Sequence, residues 1–185
     1  ARVADDAGKG LTAALLGAET HGRWKGLTAT AGDPADWLAQ LNTPLCAQLP
    51  NNRFVTIAFG LVDRRTQRLR LAAAGQTSIY VSGDEVEVIR PTGLVLGMVP
   101  DEQYELIERP FPTGSRLLLF SDGVTDQVAA DGEPFEMERL LETIRSAREL
   151  PAQELRQAVL DALQRHAQGT EQSDDTTLVV VSCDG

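Results

Sequence analysis

Two stretches before residue 50 place apolar residues at helical spacing. One runs from Gly10 to about Ala18, the other from Pro34 to Leu49, where Leu38, Leu41 and Leu45 share a face. A polar connector rich in Gly and Thr separates them. From Arg53 onward the period falls to two. "RFVTIAFGLVD", a turn at "RRTQ", then "RLRLAAAG", "SIYVSG" and "EVEVIRP" alternate between Gly, Asp and Pro breaks, which predicts an antiparallel meander. "QYELIERPF" and "SRLLLFSDG" predict two more strands, the second a continuous apolar run suited to burial on both faces. Helical spacing returns at Glu136 to Ala147 and Pro151 to Gln168, and "DTTLVVVSC" supplies a closing strand. This order of elements predicts an α+β domain of packed sheets with helices outside.

The chain has 185 residues, enough for one substantial core, and no repeat or linker divides it, so residues 1–185 are expected to form a single domain. Its opening, Ala1-Arg2-Val3-Ala4, reads as the end of a severed strand and suggests an N-terminally truncated domain. No apolar run approaches the roughly 18 residues of a membrane span, so no membrane partner is expected. A net charge of −10 without any Lys/Arg cluster argues against nucleic acid, whose phosphates repel such a surface. Cys46 and Cys183 stand far apart with no metal-ligand spacing, which points away from zinc and disulfides and fits a reducing cytoplasm.

The stretch "ADDAGKGLTAALL" at residues 4–16 crowds acids, glycines and a lysine against a helix start. A phosphate-binding loop needs Gly where Val3 stands and Ser or Thr where Gly10 stands. A dinucleotide fingerprint fails at Thr12-Ala13. Two readings remain: glycines that permit a tight strand-to-helix turn, or acids that hold a metal. "LLLFSDG" puts Asp122 directly after an apolar strand, and "SDDTTLVVV" puts Asp174 and Asp175 directly before another. Acids at the mouths of three strands can converge on one sheet edge, where a cation would relieve their repulsion. All are oxygen donors, which favours Mg²⁺ or Mn²⁺ over zinc or copper.

These segments resemble the metal-dependent, type 2C protein phosphatases, in particular their SpoIIE-like bacterial branch. "ADDAGKGLTAALL" is similar to its D-x-x-G-K-G-x-x-A-A segment, "LNTPL" to its LN-x-x-L helix and "RFVTIAFGLVD" to its FVT strand. "AAAGQTSIYV", "GLVLGMV", "LLLFSDGVTD" and "SDDTTLVVV" follow in the family's order, resembling its Asn-Ala-Gly-His, G-x-x-L-G, S-D-G-V-T-E and D-D-x-T elements.

The resemblance implies a four-layer α-β-β-α sandwich of two antiparallel sheets flanked by helices, here lacking the family's N-terminal strand pair and the acid it carries. It implies a binuclear Mn²⁺ or Mg²⁺ centre in which Asp5 bridges both metals, Asp6 offers a backbone carbonyl, and Asp122 and Asp174 are carboxylate ligands. Asp175 stands where the family has an Asp or Asn behind the ligands, and Gln76 where many relatives have His, so no third metal is expected there. Lys9 and the arginines Arg64, Arg65, Arg68 and Arg70 read as solvated, the alternatives being attraction of a substrate phosphate by Lys9 and docking of a phosphoprotein by the arginines. His21 and His166 are given no catalytic role.

The implied reaction is metal-dependent hydrolysis of phosphoserine or phosphothreonine on a protein, with an anti-sigma factor antagonist in a partner-switching pathway as the substrate suggested by analogy. An upstream sensor domain is a further implied partner. A catalytically impaired binding module and a small-phosphoester hydrolase are the competing readings.

Overall fold

The computed structural model describes residues 2–6, 22–23, 25–27, 32–49, 53–90, 92–172 and 174–183, with residues 2–6 as backbone alone. The helix expected at Gly10 to Ala18 lies outside the described residues, as do Lys9 and His21. Residues 22–23 and 25–27 are helical, in a stretch that reads from sequence as a plain connector. The chain divides into two compact units, one of Ala1–Thr77 with Arg90–Pro110, the other of Ser78–Ile89 with Phe111–Gly185.

In the first unit, β1 (Arg2–Asp6), β2 (Val55–Asp63), β3 (Arg68–Ala74) and β6 (Ile107–Pro110) form a sheet in the order β1-β2-β3-β6, antiparallel throughout. Helix α1 (Pro34–Gln48) packs on it. Asp33 caps the helix by accepting the Ala35 and Asp36 N–H groups at 2.9 and 3.0 Å, and Pro34 follows where its missing N–H costs nothing. The predicted stripe of Leu38, Leu41 and Leu45 is fully buried against Val55, Ile57, Phe59, Ala72 and Ala74.

Asn42, on the same helix, anchors the loop of the "GLVLGMV" segment. Its Oδ1 accepts the Gly97 N–H at 2.8 Å and its Nδ2 donates to the Val99 carbonyl at 2.7 Å. Gly97 has φ +90, and a Cβ there would stand 2.5 Å from Leu49 Cδ1, so the turn demands glycine. At the β2–β3 turn, hydrogen bonds from Thr66 and Arg65 to Asp63 hold its carboxyl below the ordinary value. Arg64, Arg65 and Arg68 are exposed, while Arg70, the fourth arginine of the expected solvated face, is half-buried.

The second unit holds β4 (Ser78–Ser82), β5 (Glu85–Ile89), β7 (Arg116–Phe120) and β8 (Leu178–Ser182), in the order β5-β4-β7-β8, again antiparallel. Helices α2 (Glu136–Ala147) and α3 (Ala152–Ala167) close over one face. Alternate residues Ile79 and Val81 of β4, and Leu118 and Phe120 of β7, meet Leu140, Ile144, Leu155 and Val159 from the helices. All five residues of β7 are buried, so both of its faces are covered, as its unbroken apolar run predicts.

The expected meander needs correction. The β2–β3 hairpin belongs to one sheet and the β4–β5 hairpin to the other, with the switch at Gly75–Thr77. Gly75, with φ +71, directly follows Ala74, the last paired residue of β3, and the next strand pairs in the other sheet. Alternation alone cannot distinguish these outcomes, because both bury one face of every strand.

Candidate metal centre

Two of the acids read from sequence are brought together by the ends of two paired strands. Phe120, the last residue of β7, pairs with Leu178, the first of β8. The antiparallel ladder therefore places the chain leaving β7 beside the chain entering β8. Ser121 N donates to the Thr177 carbonyl at 3.0 Å, continuing the ladder by one residue. Beyond it Asp122 opens a single 3₁₀ turn, Asp122–Val124, while Asp174 and Asp175 approach from the other side.

Ser121 fastens the two segments through its side chain. The buried hydroxyl donates to the Asp175 carbonyl at 2.9 Å and accepts the Thr177 N–H at 2.9 Å. Thr176 Oγ1 donates to the Gly123 carbonyl at 3.3 Å, and Gln172 Nε2 donates to the Asp174 carbonyl at 2.7 Å. A Cβ on Gly123 would stand 2.4 Å from the Asp175 carbonyl oxygen and 3.3 Å from that of Asp174. The Gly of "SDG" is thus required by the close approach of the other strand's backbone, a reason that turn chemistry alone does not supply.

The carboxylates themselves face solvent. Asp122, Asp174 and Asp175 are all exposed. Asp174 Oδ1 accepts the Asp175 N–H at 2.9 Å, and neither side-chain oxygen of Asp122 has a partner among the described residues. No cation pairs with either acid among the described residues. Negative groups held on adjacent segments with unused acceptor oxygens form an oxygen-only donor set that suits a hard divalent cation. No group of three His, Cys, Asp or Glu poised to hold a metal occurs among the described residues.

Asp5 and Asp6 lie in the first unit as the last two residues of β1, opposite Thr56 and Val55 of β2. Gln76 follows the end of β3, whose Ala74 pairs with Ile57 of the same strand β2. Its side chain is 5 % exposed and its Oε1 has no hydrogen-bond partner among the described residues.

Several supporting residues escape sequence reasoning. Gln127 is buried and donates through Nε2 to the Val128 carbonyl at 3.1 Å, while Thr170 Oγ1 donates to the same carbonyl at 2.8 Å. Together they tie the loop after Asp122 to the end of α3. His166 also has a structural role: its Nε2 lies 2.9 Å from the Glu133 carbonyl, and its ring meets Phe135 edge to face. Ser121, by contrast, stands between an apolar strand and Asp-Gly, a place from which sequence can flag it.

Comparison with known proteins places the chain among phosphatase domains. It is 28 % identical over 184 residues to the phosphoserine phosphatase RsbU of Bacillus subtilis, covering 97 % of this chain and 54 % of that protein. The SiaA-PP2C domain of Pseudomonas aeruginosa superposes with a TM-score of 0.88 at 25 % identity, over 99 % of this chain and 75 % of that one. The catalytic domain of the serine/threonine phosphatase PstP, solved with two manganese ions, shares the fold with a TM-score of 0.66 at 19 % identity, over 97 % and 84 % of the two chains. Two antiparallel sheets flanked by helices are the shared architecture and the class expected from sequence. The chain spans 20 to 54 % of the length of the curated relatives it matches. The model of the family described as Stage II sporulation protein E matches residues 1–184, and the chain belongs to that SpoIIE family.

Proposed function

We propose that residues 1–185 form one phosphatase domain that removes phosphate from phosphoserine or phosphothreonine on a protein, with Mn²⁺ or Mg²⁺ held by Asp5, Asp122 and Asp174 and by the backbone carbonyl of Asp6. The observation that carries this reading is the fastening of the Asp122 turn to the Asp174–Asp175 segment through Ser121 and Gly123. It fixes two unpaired carboxylates at one strand mouth, and RsbU and PstP are phosphatases by name. A binuclear centre fits the manganese pair of PstP.

Bound there, divalent ions lower the pKa of water and neutralise charge on phosphoryl oxygens. The chain's own contribution is positional. Asp122 and Asp174 present acceptor oxygens on backbone that the Ser121, Thr176 and Gln172 hydrogen bonds prevent from drifting apart. No described side chain has to become phosphorylated. We further propose an anti-sigma factor antagonist as the phosphoprotein, on the strength of the family resemblance, and a cytoplasmic setting; no helix among the described residues is long and apolar enough to cross a membrane.

The test is phosphate release from a phosphoserine protein of the antagonist type, with Mn²⁺ and with chelator, in wild type and Asp122→Asn. Turnover that requires the metal and falls more than about 100-fold in the variant, with an unchanged melting temperature, supports the reading. Turnover that survives chelator or the substitution refutes it. Much faster hydrolysis of a small phosphoester than of any phosphoprotein would redirect it to small substrates.

A further inference from the structure

Beside the Asp122–Asp174 clamp, within the second unit, a solvent-open cavity of about 200 Å³ lies between the C-terminal half of α3 and the segment that leads into β8. Leu160, Leu163 and Ala167 give it an apolar wall, and Gln172 and Thr176 form the side towards the clamp. These last two residues belong to both structures. Gln172 Nε2 bonds the Asp174 carbonyl at 2.7 Å and Thr176 Oγ1 at 3.2 Å, and Thr176 Oγ1 bonds the Gly123 carbonyl at 3.3 Å.

Size and charge limit what the cavity can hold. A cavity of about 150 Å³ takes a benzene ring, whereas pockets for whole cofactors or drug-sized ligands start near about 300 Å³. This volume therefore suits one large side chain. None of its described lining residues is charged, so they offer no counter-ion to a phosphate, a carboxylate or an ammonium group. Thr176 is two residues from Asp174, and an extended chain covers about 7 Å in two residues and about 14 Å in four. A residue two to four positions from a phosphoserine seated at the clamp has the reach to enter.

We propose that this cavity is a specificity subsite that accepts one uncharged, apolar-bodied side chain of the phosphoprotein, such as Leu, Met or Phe, a few residues from the phosphoserine. The proposal rests on the phosphatase reading for its substrate, and on the shared residues Gln172 and Thr176 for its place.

The test uses phosphoserine peptides carrying Leu, Gly, Asp or Lys at single positions two to four residues to either side. Two quantities are read: kcat/KM with Mn²⁺, and peptide affinity by fluorescence anisotropy with chelator. At one position Leu is expected to exceed Gly by at least about tenfold, with Asp and Lys no better than Gly. Ala167→Phe, which fills the cavity, and Gln164→Trp, an exposed lining residue whose substitution spares the core, should each bring the Leu/Gly ratio close to one. Equal treatment of all four side chains, or a preference that survives both variants, overturns the proposal. If p-nitrophenyl phosphate is hydrolysed while the peptides show no preference, the subsite is refuted and the phosphatase reading stands. If a Leu preference in binding is abolished by both variants but nothing is hydrolysed, the subsite stands and the phosphatase reading falls.

Discussion

Replacing Gly123 by alanine adds one methyl group at the point where the two acid-bearing segments touch. The new Cβ would stand 2.4 Å from the Asp175 carbonyl oxygen, where side-chain carbons essentially never come closer than 3.0 Å, so the backbones must part by at least 0.6 Å. Neither is free to yield. Ser121 bonds both the Asp175 carbonyl and the Thr177 N–H at 2.9 Å, and the β7–β8 ladder begins at the next residue pair. Overpacking of this kind costs about 1–3 kcal/mol, and in a chain of this size each kcal/mol lowers the melting temperature by about 2–4 °C. On the proposed mechanism, a shift approaching 1 Å between ligands costs up to about 100-fold in rate. The assay pairs thermal unfolding with Mn²⁺ titration of phosphate release. Gly26→Ala serves as control, since the methyl group added to that helical glycine would meet nothing within 4 Å among the described residues and should change stability by no more than about 1 kcal/mol. A Gly123→Ala protein with wild-type melting and wild-type Mn²⁺ dependence would refute the clamp as the device that spaces the acids.

Ser121→Ala removes a buried hydroxyl with two backbone partners and is expected to cost about 1–3 kcal/mol and to weaken Mn²⁺ affinity, read by thermal melting with and without the metal. Asn42→Ala strips the loop at Gly97–Val99 of both side-chain bonds and should destabilise by a similar amount, about 1–3 kcal/mol, while hydrogen exchange rises at Gly97. Burial pushes the Tyr104 phenol above its ordinary 10.0, with the Glu102 charge adding to the shift. The unfolded chain therefore loses this proton first, so Tyr104 leaves stability unchanged below pH 10 and lowers it as pH rises further; Tyr104→Phe should flatten that alkaline slope in a melting series.

Local signals made most of the elements legible. The shift from helical to twofold period at Arg53, the helix start at Pro34 and the unbroken run of β7 are consequences of backbone geometry and need no distant partner. Asp122 and Asp174 were legible as candidates for the same reason, as acids next to apolar strands. What the sequence could not carry was which segments meet. The division of the hairpins between two sheets follows from pairings of β3 with β6 and β4 with β7, across stretches with no periodic mark of their own. The need for glycine at 123 comes from a backbone 52 residues away at Asp175, and the hydroxyl of Ser121 finds its acceptor 54 residues away. Elements are thus written in neighbouring residues, because steric preference and burial act locally, while the spacing of the acids exists only once long-range strand pairing has set the register that brings them side by side.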